Sequence, residues 1–225
     1  MQKYILLLTV IVSVCLVLSS CSTIAASEAA QKTVIIDAGH GGEDCGTIGK
    51  NGVFEKDLNL RIAFTLGKLL EEKGYAVVYT RTEDKLLYKE EENIKGYRKI
   101  YDLKNRAALA SQYESPVFIS IHMNSFSDER YSGLQVFYSV ATDASRRLAT
   151  SVQQQVKQQL QPQNNRPIRE GAGLYLMENL SCPAILIECG FMSNPAECEK
   201  LCQKEYQKQL CFAIACGIIE VQNTL

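Results

Sequence analysis

Histidine is nearly absent from this sequence: its 225 residues hold two, His40 and His122. There is no excess of charge either, since 24 Lys and Arg face 25 Asp and Glu, a formal net charge of −1. Without a basic field the chain lacks the electrostatic footprint of a nucleic-acid binder, and nucleic acid is not an expected partner. No segment repeats and none is of low complexity, which excludes solenoids, arrays and separate wall-binding repeats. The phosphate-loop pattern G-x-x-x-x-G-K-[ST] is missing. The glycines of "GHGGED", Gly39 to Asp44, also lack the G-x-G-x-x-G spacing that brings a helix N-terminus to a pyrophosphate. No C-x-x-C pair accompanies the nine cysteines, so a cysteine metal site is not expected.

What is present begins with an export signal. "MQKYILLLTVIVSVCLVLSSC" places Lys3 ahead of an apolar run from Tyr4 to Leu18 and then small residues, too short and too lightly flanked for a membrane span. Residues 1–21 are assigned to this signal, and its end, Leu18 to Cys21, resembles the lipobox of bacterial lipoproteins, in which the cysteine is lipidated. Cleavage after Ala25 or Ala26 and an uncleaved anchor are the alternatives. Residues 22–32 are small and polar and read as a linker. Residues 33–222 then suffice for one domain with a hydrophobic core. Beyond Cys21 seven cysteines remain (Cys45, Cys182, Cys189, Cys198, Cys202, Cys211 and Cys216), and an odd number cannot all pair internally. Several stand in apolar runs, where a free thiol behaves as a small hydrophobe, and the set suits a reducing or anaerobic setting.

Along the domain short apolar runs alternate with helical patterns. "TVIIDA", "YAVVYTR", "PVFISIH", "GLQVFYS", "GLYLM" and "PAILIECGF" read as strands. Helices are expected from Glu55 to a stop at Gly74, around "LKNRAALASQY", over "DASRRLATSVQQQVKQQL", and from Pro195 to Val221 with a break near Leu201 to Lys204. This order predicts an α/β fold: a single three-layer domain, a mostly parallel twisted sheet of about six strands, and helices on both faces.

In such sheets ligands bind beyond the carboxyl ends of the strands. His40 follows the first strand within a glycine loop, His122 ends "VFISIH", and Glu188 ends the apolar run Ala184 to Ile187. A carboxylate there needs a cation, a hydrogen-bond network or a catalytic duty, because an unpaired buried charge is costly. Two imidazoles and a carboxylate form the ligand set of a hydrolytic zinc site. Hydrolysis also needs a second carboxylate to carry the proton from water to the leaving nitrogen. Glu188 is one of the two acids, and Glu55, opening the first helix, is the leading choice for the other. Spacing leaves open which is the ligand, and on spacing alone Glu55 fits better as a first-turn acid favoured by the helix dipole.

"IIDAGHGGEDCGTIG", "EKDLNL", "FISIHMNS" and "PAILIECGFMSNPAE" closely resemble the zinc-dependent N-acetylmuramoyl-L-alanine amidases of the Amidase_3 family, over Val34 to about Ile218. The resemblance implies one Zn2+ per chain held by His40, Glu55 and His122, with Glu188 as the catalytic acid/base. It implies hydrolysis of the amide between N-acetylmuramic acid and L-alanine in peptidoglycan. Asn124 and Arg169 are further candidates for substrate contacts. "NIKGYRKIYDLKNR" and "GLYLMENLSCPAILIECGFMSNP" look most like the germination-specific amidases of endospore formers, which implies a part in cortex maturation through muramic-δ-lactam. The expected place is outside the cytoplasmic membrane, in the wall or the intermembrane space of the forespore. Targeting then falls to the catalytic domain, to a membrane or lipid anchor, or to an accessory exported protein. The alternative is a non-catalytic, membrane-tethered peptidoglycan-binding protein on the same scaffold, whose signature would be loss of one of these four residues.

Overall fold

The computed structural model describes residues 31–224. The signal, the lipobox ending in Cys21 and all but the end of the linker lie outside the described residues. Six strands form one sheet: β1 (Thr33–Ala38), β2 (Ala76–Tyr79), β3 (Val117–Asn124), β4 (Gln135–Tyr138), β5 (Arg169–Glu170) and β6 (Ala184–Phe191). Their spatial order is β2-β1-β3-β6-β4-β5. All neighbours run parallel except β4 and β6, which are antiparallel. The helices are α1 (Glu55–Glu71), α2 (Arg98–Ala110), α3 (Asp143–Gln159), α4 (Tyr175–Asn179), α5 (Pro195–Cys202) and α6 (Lys204–Gln222). Among the described residues no helix is long and apolar enough to cross a membrane.

The sheet is covered on both faces, and the two-residue strand period sorts the side chains between them. Val34, Ile36, Val117, Ile119, Ile121, Ile185 and Ile187 face α1, α3 and α6 in the larger core. Ile35, Phe118, Ala184 and Leu186 face the other way, onto Ala110 of α2 and Leu176 and Met177 of α4. The helices end where local chemistry ends them. Gly74 at φ 86° closes α1, with the Tyr75 N–H bonded to the Leu70 carbonyl. Thr142 caps α3 by accepting from the Ser145 N–H, and Asn194 caps α5 through Glu197 with Pro195 at the first position. Gly217 lets α6 approach α3 closely, since a Cβ there would stand 2.6 Å from Val152 Cα.

Two expectations are corrected. "GLYLM" is not a strand: Tyr175–Asn179 is a helical turn, and the edge strand is Arg169–Glu170, paired with β4. Leu176 and Met177 are adjacent and both buried in the same core, which a strand cannot achieve because neighbours point to opposite faces. The second helix also starts earlier, at Arg98, and it buries Asp102, Arg106 and Ala110 rather than an apolar stripe. The seven described cysteines are all free thiols, and Cys189, Cys198 and Cys211 are buried.

Candidate active site

Beyond β1 the chain turns through Gly39, His40, Gly41 and Gly42. His40 takes φ 61°, the left-handed region, which costs a non-glycine residue about 1–2 kcal/mol and persists only where the surroundings enforce it. That turn aims the imidazole at the first residue of α1. His40 Nε2 lies 3.2 Å from Glu55 Oε1, and His122 Nδ1 lies 3.1 Å from the same oxygen. The two rings meet edge to face with centroids 4.9 Å apart. Two nitrogens and one oxygen thus converge within 4.8 Å of one another, a donor set that could hold a metal ion.

The surroundings fit such an ion. Glu55 Oε2 is tied to the Thr47 N–H at 2.8 Å, which fixes the carboxylate and turns Oε1 toward the imidazoles. The Met123 N–H donates to Oε1 at 3.0 Å. Asp44 Oδ2 lies 2.9 Å from His40 Nδ1, the outer carboxylate that orients metal-binding histidines elsewhere, and Lys99 holds it from the far side at 3.1 Å. The cradle admits glycine only. A Cβ on Gly39 would lie 2.1 Å from His122 Nε2, and one on Gly46 would lie 2.6 Å from Glu55 Oε2. Burial opposes ionisation of Glu55, but the His122 and His40 imidazoles outweigh it and hold the carboxyl well below the usual range. Burial would lower His40, yet Asp44 and Glu55 raise its pKa to about 9.

Glu188 belongs to a neighbouring strand and is not one of the three converging donors. Strand register pairs it with His122 on β3 and with Gln135 on β4, so its side chain projects from the same face as that imidazole, one strand spacing (about 4.8 Å) away. Its Oε2 is buried and has no hydrogen-bond partner. Burial, reinforced by the Glu55 charge, pushes its pKa up to about 7 against the pull of the imidazoles. A carboxyl poised there can both accept and release a proton near neutral pH, which general acid–base catalysis requires.

The family model of the N-acetylmuramoyl-L-alanine amidases (Amidase_3) matches residues 34–220, all of this sheet but its first residue and all of the helices but the last two residues of α6. The chain belongs to that family. The amidase is 36% identical over 190 residues to the germination-specific N-acetylmuramoyl-L-alanine amidase of Bacillus subtilis (strain 168), covering 84% of this chain and 78% of that one. Among solved structures it resembles the CwlD amidase of Clostridioides difficile, described in complex with the GerS lipoprotein. That match has a TM-score of 0.82 and 38% identity, over 87% of this chain and all of the other. An N-acetylmuramoyl-L-alanine amidase of Clostridium difficile 630 matches with a TM-score of 0.75 and 35% identity, over 86% and 98%.

Four of the residues singled out in the sequence, His40, Glu55, His122 and Glu188, thus gather in one place in the amidase. The other two are placed separately, Asn124 two residues beyond His122 and Arg169 at the sheet edge. Asn124 ends β3, half-buried, with its carbonyl bonded to the Met192 N–H at 2.8 Å. Arg169 is exposed on β5, two strands beyond Glu188. Residue patterns missed Asp44, Arg81 and Arg106 around His40. A signal for Arg106 existed in Asp37, a carboxylate inside an apolar strand that demands a buried partner. Its partners are Ser120, Thr80 and Arg106.

Proposed function

We propose that this chain is a zinc-dependent amidase that cleaves the bond between N-acetylmuramic acid and L-alanine in peptidoglycan. The observation that carries the reading is the convergence of His40 Nε2, Glu55 Oε1 and His122 Nδ1, with the buried, unpartnered Oε2 of the half-buried Glu188 on the neighbouring strand. One Zn2+ held by His40, Glu55 and His122 would polarise the lactyl carbonyl and lower the pKa of water toward about 7. Glu188, pKa about 7, takes the proton of the attacking water and returns it to the alanine nitrogen as the amide breaks. The Asn59 side chain holds the loop in place, donating to the Gly39 carbonyl at 3.1 Å. Asn124 and Arg169 are assigned to the substrate, the first donating to a carbonyl and the second pairing a stem-peptide carboxylate. All four residues needed for turnover are present, so a binding role without catalysis has no support in the site.

The relatives support a biological setting. A germination-specific amidase as relative supports a part in spore-cortex maturation, in which freed muramic acid closes to the δ-lactam. The lipoprotein bound to the CwlD amidase supports an exported accessory protein for this chain too, outside the cytoplasmic membrane. Metal analysis and product analysis on one preparation of residues 31–225 test the proposal. About one zinc per chain, with free stem peptides that begin in L-alanine by mass spectrometry, is expected. No zinc after reconstitution would refute the metal assignment. Zinc with no peptide release, from cortex or vegetative peptidoglycan and with an accessory protein present, would refute the catalytic one.

A further inference from the structure

The turn that carries His40 is held from behind by two buried arginines. Arg106, on α2, is 1% exposed and spends its guanidinium on four oxygens. Nε donates to Asp102 Oδ2 at 2.8 Å, Nη1 to Asp37 Oδ1 at 2.6 Å and to the Ala38 carbonyl at 2.8 Å, and Nη2 to the His40 carbonyl at 2.7 Å. Arg81, just beyond β2 and 2% exposed, donates Nε to the Ala38 carbonyl at 2.9 Å. Its Nη2 reaches the Gly39 carbonyl at 3.1 Å and the Lys56 carbonyl at 2.8 Å, and its Nη1 reaches the Glu83 carbonyl at 3.1 Å. The carbonyls of three consecutive residues, Ala38, Gly39 and His40, therefore all end on guanidinium groups. Lys56 follows Glu55 directly, so Arg81 also joins the His40 turn to the first turn of α1.

Two features set this arrangement apart from ordinary core cohesion. His40 sits at φ 61°, where an L-residue stays only if its neighbours over-determine it. The charges also balance locally: Asp37 and Asp102 offset Arg106 and Arg81, and Asp102 spends its second oxygen on the Leu87 N–H at 2.7 Å. The planar fork of arginine meets several acceptors at fixed angles, which the point charge of lysine cannot reproduce.

We infer that Arg106 and Arg81 are positioning residues for the metal ligand His40. They hold its backbone in the left-handed turn that brings Nε2 to Glu55 and His122. The inference rests on the reading of His40 as a ligand, and it assigns neither arginine any contact with substrate or with the ion.

The test is zinc affinity, measured by competition with a chromophoric chelator on the metal-free chain of residues 31–225, well below its melting temperature. Arg106→Lys keeps a cation against Asp37 and Asp102 and gives up the reach to the His40 carbonyl. Affinity is expected to fall about 10–100-fold, as for other partners behind a metal ligand, and excess zinc should restore most of the activity. Arg81→Lys, whose native partners are all neutral carbonyls, leaves no buried carboxylate unpaired and decides the matter if the first variant does not fold. Its affinity is expected to fall in the same direction. A folded variant with lowered thermal stability but wild-type zinc affinity would show a merely structural role and overturn the inference. The wild type is the control that separates the two readings: if it takes up no zinc, the metal assignment falls and this inference with it. If the wild type and both lysine variants bind zinc equally, this inference alone falls.

Discussion

Replacing Glu188 by glutamine separates the proton carrier from the metal set. The side chain keeps its shape and loses its basic oxygen. A positioned general base contributes about 10²–10⁴-fold, so kcat/KM should fall by that factor, or about 3–5 kcal/mol of transition-state stabilisation. Zinc content should not change, because Glu188 lies outside the His40, Glu55 and His122 group. Stability supplies an independent readout. Folding raises the Glu188 pKa from 4.5 to about 7, so the native state binds more protons than the unfolded chain between those values. The Glu188 contribution to the stability of the metal-free protein therefore declines as pH rises through that window, by about 3 kcal/mol. Glutamine carries no charge and removes this decline, while its buried amide costs about 1–3 kcal/mol if it finds no partner. The variant should thus gain on the wild type from pH 4.5 to 7 in urea unfolding, and turn over peptidoglycan far more slowly. Wild-type activity should fall toward acid pH as Glu188 takes up its proton, with the limb below about 7 because a bound dication favours the carboxylate. Turnover within tenfold of wild type, or loss of zinc from the variant, would refute the assigned role.

His122→Ala should abolish zinc retention by elemental analysis and lower activity by roughly 10³-fold or more, since it deletes one of two imidazoles. Gly39→Ala places a Cβ 2.1 Å from His122 Nε2, so the ring must swing away. Zinc affinity by chelator competition should drop about tenfold or more with the fold intact. Glu197→Ala strips the acceptor from the Gly133 and Phe191 N–H groups, both buried, without touching the metal set. It should cost about 2–4 kcal/mol, a fall of about 5–15 °C in calorimetry, and leave zinc binding unchanged. A melting temperature within a degree or two of wild type would show that water satisfies those donors.

How much of this was legible in the sequence depended on polarity more than on position. β1, β3 and β6 are central parallel strands buried on both faces, so they read as continuous apolar runs, and the polar residues that end them stood out. Glu55 was harder. It is a first-turn acid at the start of α1 and also lies beside both imidazoles, and one residue can satisfy both descriptions. What separates them is the pairing of β1 with β3, which brings His40 and His122 to the same carboxylate from 82 residues apart in sequence, and no local pattern contains that fact. The α2 helix failed for a related reason. Periodicity arguments look for an apolar stripe, and the stripe that α2 buries is Asp102, Arg106 and Ala110, polar for two of its three positions. Charged residues four apart carry no apolar period, so the expected helix is centred on "LKNRAALASQY" and omits the turn from Arg98 to Asp102. The same two side chains serve the site: Asp102 anchors Arg106, and Arg106 reaches the His40 carbonyl. A metal-binding turn held in a left-handed conformation needs buried donors behind it, and buried donors need buried counter-charges. The polar stripe that concealed the helix from a hydrophobic reading is thus what such a turn requires. Aligning Asp37 in β1 with the i, i+4 pair Asp102 and Arg106 would have exposed it, because a carboxylate within an apolar strand must find a cation somewhere in the chain.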